Sequence, residues 1–203
     1  MIDICLLELH GELPSILGMR NSYDSRRKSD SGGFYIGPND YSLMERLAKS
    51  GPSHAKYRRM IVAWIDILAP MYWWKEFDTY KVGTVANSQS TMHTITRKPF
   101  DISDFSVEHL TDDYKQIFEK HTIRALNNAR ENFLETKDKT WWWQIIQMLP
   151  SSYNQLRTVM LNYEVLANMY ALRKDHKLDE WRIFCNWIEE LPNSGLITGK
   201  ERK

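Results

Sequence analysis

Cysteine is scarce in this chain of 203 residues, with only two copies. Cys5 and Cys185 offer neither a paired zinc spacing nor a disulfide framework, which fits a reducing cytoplasm, and both read as small buried apolar residues. An excess of either charge is lacking too. The formal charge is +1 and the pI about 7.8, so no overall field gathers nucleic acid or an anionic membrane, although a local basic groove stays open. Long hydrophobic runs are missing: the most apolar stretch, residues 60–74, contains Asp66 and Pro70 and is too short to span a bilayer. The opening MIDICLLELHGELP has no cationic n-region and is interrupted by Asp3 and Glu8, so it reads as a strand and not as a signal peptide. A soluble cytoplasmic protein, one α/β domain over residues 1–203, is the expectation.

Familiar catalytic signatures are equally absent. The six histidines are scattered, none at the four-residue spacing of a helical metal site. GGFYIGP has glycines at a phosphate-loop spacing but places Pro38 where the lysine belongs. There is no nucleophile elbow and no dinucleotide fingerprint. The carboxylate pairs Asp112/Asp113 and Glu189/Glu190 read as solvated helix faces.

Periodicity organises what is there. Ile2, Ile4 and Leu6 alternate with Asp3 and Cys5, as in a strand that ends near Gly11. Residues 18–40 have the composition of a polar loop. Asn39 or Asp40 then caps a helix through Leu43 and Leu47 that Gly51 ends. MIVAWIDIL is a strand covered on both faces or at a subunit interface, and MYWWKEFDTY a short helix. Residues 82–104 read as connecting structure. Helical spacing resumes at Tyr114, Ile117, Phe118 and His121, and Pro150 breaks the helix WWWQIIQML. Ser152 and Gln155 fit a capping box opening a helix through Val159 and Leu166. A last helix, around 178–191, gives way to a frayed tail at 193–203. The triplet Trp141, Trp142 and Trp143 invites a base- or flavin-stacking role, but successive helical positions diverge, so at most two share a pocket.

The segment LPSSYNQLRTVMLNYEVLANMYALR, from Leu149 to Arg173, resembles the late motif of the flavin-dependent (alternative) thymidylate synthases. Leu149, Pro150, Asn162, Leu166, Asn168, Leu172 and Arg173 stand at the family's spacing without a gap. DHKLDEWR is similar to its His-Ala-Gln-x-Glu-Ile segment, with His176 and Glu180 retained. TYKVGTVANSQSTMH resembles the signature Arg-His-Arg-x-x-Ser-x-Asn-Glu-x-Ser-x-Arg, with Ala86 inserted and Lys81, Thr84, Asn87 and Ser90 in register. The resemblance implies an α+β fold, a central sheet with long C-terminal helices. It also implies a homotetramer with sites between subunits, FAD as cofactor, and reductive methylation of dUMP or a related pyrimidine nucleotide with methylene-tetrahydrofolate.

Carried over residue by residue, the resemblance assigns Lys81, Asn87, Asn162, Asn168 and His176 to the cofactor. Ser90 and Arg173 go to the nucleotide, and Arg20, from the polar loop, to covering the substrate. No protein nucleophile is required. The departures fall on charge. Thr79 and Tyr80 replace Arg-His, Ser88 the Glu and Met92 the final Arg. Ile146 stands where relatives have an Arg four before the proline, and Glu164 replaces the Arg of Asn-Ala-Arg. A guanidinium grips phosphate through a fixed fork that none of these side chains supplies. The alternative implied is a non-catalytic protein of the same fold that regulates by binding a nucleotide or another protein.

Overall fold

The computed structural model describes residues 2–33 and 35–200. In chain order, β1 (Asp3–His10) and α1 (Glu12–Arg20) are followed by 3-10 turns at Asn21–Tyr23 and Arg26–Lys28. Then come α2 (Pro38–Lys49), a 3-10 turn at Ala55–Met60, β2 (Val62–Pro70), α3 (Met71–Phe77), β3 (Thr84–Ser88) and α4 (Thr91–Thr94). After a 3-10 turn at Ile102–Asp104, α5 (Asp112–Ile117) passes through a π-helical segment, Phe118–Ile123, into α6 (Arg124–Thr136). The chain ends with α7 (Lys139–Met148), β4 (Asn154–Asn162), α8 (Tyr163–Arg173), α9 (Asp179–Glu190) and α10 (Gly195–Thr198). The strands form one sheet in the order β1-β2-β4-β3. This is the mixed class expected, a central sheet with long helices at the C-terminal end.

The chain clusters into two compact units. One gathers the chain up to Asp3, Leu68–Thr79 and Asn87–Arg157. Its core is Ile95, Phe100, Phe105, Ile123, Leu126, Ala129 and Ile145, with Trp141, Trp142 and Ile146 packed against it. The other gathers Ile4–Ile67, Tyr80–Ala86 and the chain from Thr158 onward. Within β2, Ala63, Ile65, Ile67 and Ala69 are fully buried while Val62, Trp64, Asp66 and Leu68 are half-buried. One face of MIVAWIDIL is thus sealed by the chain itself.

Local expectations are corrected at several points. No helix opens at Ser152 and Gln155. Residues 154–162 are a strand, because Gln155 is buried and its Nε2 donates to the Gln89 carbonyl at 2.8 Å, while Gln89 N donates to the Leu156 carbonyl at 2.9 Å. The long-range bonds replace those a helix offers, and the buried set Gln155, Val159 and Leu161 runs at even spacing along one face. The helix begins only at Tyr163, where Asn162 Oδ1 accepts from Val165 N at 3.0 Å.

Second, α2 starts at Pro38, which needs no N–H there. The backbone N–H groups of Asn39 and Asp40 donate not to their own cap but to the Asp30 carboxylate, at 2.9 and 3.0 Å. Third, residues 82–104 include β3, at the end of the sheet order. Fourth, the expected frayed tail contains α10, with Gly195, Leu196 and Ile197 buried. Asn193 is tied to Glu12 at 3.0 Å, and residues 201–203 lie outside the described chain. Glu189 likewise does more than meet solvent, accepting from Tyr170 Oη at 2.6 Å.

A further correction concerns the thiols. Cys185 is buried as expected, and burial, with Glu189 nearby, pushes its thiol up to about 11. Cys5 is exposed on β1. A disulfide-exchange dye added to native protein is therefore expected to titrate one thiol quickly and the second only in denaturant, since the thiolate is the reactive form. Two equivalents released together in buffer would contradict this packing.

Candidate functional site

The site grows from α8 and the turn leading into β3. Asn162 caps α8 through its amide oxygen, which leaves its Nδ2 beside Gly83: a Cβ on Gly83 would lie 2.9 Å from that nitrogen and 3.1 Å from Val165 Cγ2. Only a bare backbone allows the turn this close to the first turn of α8. At the other end of α8, Arg173 Nε donates to Tyr80 Oη at 3.0 Å, and its guanidinium lies 4.8 Å from the Trp181 ring centroid and 5.7 Å from that of Tyr80. Trp181 is fully buried, and its ring centroid lies 6.3 Å from that of His176 with the two rings steeply inclined. A planar cation is thus held over an indole and fixed in rotation by a phenol.

Two of the sequence candidates, Arg173 and His176, come together here, and a third, Asn162, stands at the opposite end of α8. Arg173 and His176 flank Trp181, and Asn162 lies beside Gly83 in the turn that follows Tyr80 and Lys81. Lys81 is exposed on that turn, and Asn168 is exposed on α8. Asn87 and Ser90 belong to the other compact unit. There the Ser90 carbonyl accepts from Thr94 N at 3.0 Å and from Thr94 Oγ1 at 2.8 Å, in the first turn of α4.

Arg20 is not on a loop. It closes α1, is buried, and its Nε donates to Asp40 Oδ1 at 2.5 Å. Asp40 Oδ2 accepts from Ser29 Oγ, Ser31 Oγ and Asp30 N at 2.6, 2.7 and 3.1 Å. Burial by itself raises the Asp40 carboxyl, but the bonds from Ser29, Ser31 and Arg20, with the charge of Arg20, outweigh it and lower the pKa to about 2. Arg20 also lines a cavity of about 1220 Å³ together with Lys28, Arg46, His54 and Lys56, and among the described residues no carboxylate lines it.

Sequence reasoning missed Trp181 and the partner of Glu164. Trp181 stands eight residues beyond Arg173, and nothing local distinguishes it from the other tryptophans. Glu164 Oε2 lies 3.6 Å from Arg58 Nη1, both side chains nearly buried. The carboxylate that stands at the position of the family's Arg is therefore neutralised from within the chain. The Thr84 hydroxyl, one residue after Gly83, is buried with no hydrogen-bond partner among the described residues.

No protein-family model and no curated protein sequence matches the chain. Among solved structures, it is similar to thymidylate synthase X of Helicobacter pylori with FAD and dUMP, at 17% identity over 98% of both chains with a TM-score of 0.73. A second structure of that enzyme, also with FAD and dUMP, gives 17% identity over 98% of this chain and 100% of the other, with a TM-score of 0.74. The UMP/dUMP methylase PolB of Streptomyces cacaoi, bound with 5-Br dUMP, gives 16% identity over 98% and 95%, with a TM-score of 0.66. The chain has the fold of the flavin-dependent thymidylate synthases.

Proposed function

We propose that this single-domain, thymidylate synthase-like chain binds a pyrimidine nucleotide, dUMP or a close relative, and that Arg173 orients the base. The observation that carries this reading is the fixing of Arg173 by Tyr80 and Trp181 at the Leu-Arg position of the late motif. A guanidinium held in one plane suits the in-plane carbonyls of a pyrimidine, where a lysine is a point charge. Self-association into a homotetramer belongs to the same reading, as does a seat for an anionic folate in the cavity lined by Arg20, Lys28, Arg46 and Lys56.

The residues present do not fit FAD in the manner the signature implies. A pyrophosphate needs cations, and the turn offers Lys81 while α8 offers the carboxylate of Glu164, answered by Arg58. Asn162 Oδ1 is engaged as the α8 cap. The polar group beside Gly83, Asn162 Nδ2, suits a neutral ring or a sugar hydroxyl instead. The Glu164–Arg58 pair accordingly favours a second reading, a nucleotide-binding regulator that keeps the fold without the flavin chemistry. In both readings the base is held and the phosphate is held poorly, since Met92, Ile146 and Glu164 supply no cation.

Calorimetry with dUMP tests this. A phosphate deprived of three charge-assisted bonds, each worth about 1.5 kcal/mol, binds roughly three orders of magnitude more weakly if the three act independently. Starting from an ordinary affinity of about 1 μM, that arithmetic puts binding on the order of millimolar. Arg173→Ala should abolish it, and Arg173→Lys should not restore it. Equal affinity in the parent and Arg173→Ala would end the reading.

A further inference from the structure

The helical hairpin of α6 and α7 carries a groove that neither the late motif nor the signature uses. Its volume is about 710 Å³, within the usual range of small-molecule sites. One wall is a single helical stripe, Lys120, His121, Arg124 and Asn128, and the other is the stripe Thr140, Trp141, Gln144 and Met148 of α7. The cationic wall starts inside the π-helical segment Phe118–Ile123. Such wide turns cost hydrogen-bond geometry and recur at functional sites.

Three features coincide. Lys120, His121 and Arg124 stand within two turns, and among the described residues no carboxylate lines the groove. Trp141 packs against the core cluster while also lining the groove, so it is held rigid where it meets a ligand. Its neighbours in the tryptophan triplet are occupied otherwise: Trp142 and Trp143 meet each other edge to face, with Lys139 over both rings. Asn128 and Gln144 add amides from opposite walls. A planar ring to stack on, amides for a base edge, and cations for a chain of phosphates describe a nucleoside polyphosphate.

We propose that the α6–α7 groove binds a nucleoside di- or triphosphate, with the base against Trp141 and between Asn128 and Gln144, and the phosphates on Lys120, His121 and Arg124. This site is separate from Arg173 and stands whether or not the pyrimidine reading does. Cations beyond what a monophosphate needs set the preference for the longer chain.

Calorimetry on the whole 203-residue Arg173→Ala chain removes the other nucleotide site from the measurement. ATP and UTP are expected to bind once per chain, ADP slightly more weakly, and AMP, adenosine and inorganic tripolyphosphate each at least about tenfold more weakly. Arg124→Glu should lower ATP affinity at least about thirtyfold and Gln144→Ala severalfold, with unchanged melting curves because both side chains are exposed. Trp141→Phe, which keeps a ring in the core, should retain most of the affinity, and ATP should quench tryptophan emission in the parent more than in that variant. The proposal is overturned by tripolyphosphate binding as well as ATP, by Arg124→Glu binding like its parent, or by loss of all ATP binding in Arg173→Ala alone.

Discussion

Gly11→Ala is expected to destabilise the fold by about 3–5 kcal/mol or to prevent soluble expression, since an added Cβ there meets the closest obstruction found at any described glycine. Gly11 has φ 98 and sits between β1 and α1. A Cβ there would stand 1.9 Å from the carbonyl oxygen of Met60 and 2.9 Å from its carbon. That carbonyl cannot retreat easily, because the next residue, Ile61, is fully buried and its own carbonyl accepts from Tyr163 N at 3.0 Å. Gly51 provides the control: it has the same φ of 98, but nothing lies within 4 Å of a Cβ. Gly51→Ala should therefore carry only the backbone strain, about 1–3 kcal/mol. Urea unfolding of both variants separates the two costs, and equal midpoints would show that the Met60 contact is not what fixes Gly11.

Asp40→Asn is expected to lower stability by about 3–5 kcal/mol, because it leaves the buried Arg20 guanidinium facing a neutral amide. For a protein of this size that is a fall in Tm of roughly 6–20 °C. The native carboxyl titrates near 2 and an unfolded one near 3.8. The folded value is the lower, so the stabilisation is complete above the unfolded pKa and is lost as pH falls through the folded one. A loss of about 2 kcal/mol should thus appear between about pH 4 and pH 2 in the parent and be missing from Asp40→Asn. Parallel acid-unfolding curves for the two proteins would show that this ion pair does not set the acid limit.

These two sites show what sequence could and could not supply. The glycine-rich, serine-rich run before α2 was readable as turn structure, but not its organisation around Asp40, since Ser29, Ser31 and Arg20 reach that carboxylate from different distances along the chain. Helices α2, α7 and α9 were legible because breakers lie just outside them: Gly51 after α2, Pro150 after α7 and Pro192 after α9. Strand β4 was not. Its Ser152 and Gln155 have the spacing of a capping box, and what overrides that local signal is a bond from Gln155 to Gln89, 66 residues away. The site shows the same division. Asn162 and Arg173 could be placed by their spacing within one motif and His176 by the segment after it, whereas the packing of Tyr80, Trp181 and the Glu164–Arg58 pair depends on which segments the fold brings together.

The sheet order β1-β2-β4-β3 also governs when the protein can fold. β2 and β3 do not neighbour each other; both wait for β4, and the Thr158 hydroxyl that bonds Asp66 at 2.5 Å does so across 92 residues. A nascent chain that has emerged through α7 still holds β2, one of its most apolar segments, without its second partner. Closing loops of that length before any contact rewards them makes folding slow. It leaves an unpaired strand edge exposed throughout the synthesis of the helical hairpin. Chaperone dependence during translation, and refolding improved by low protein concentration, are the kinetic signature of this strand order.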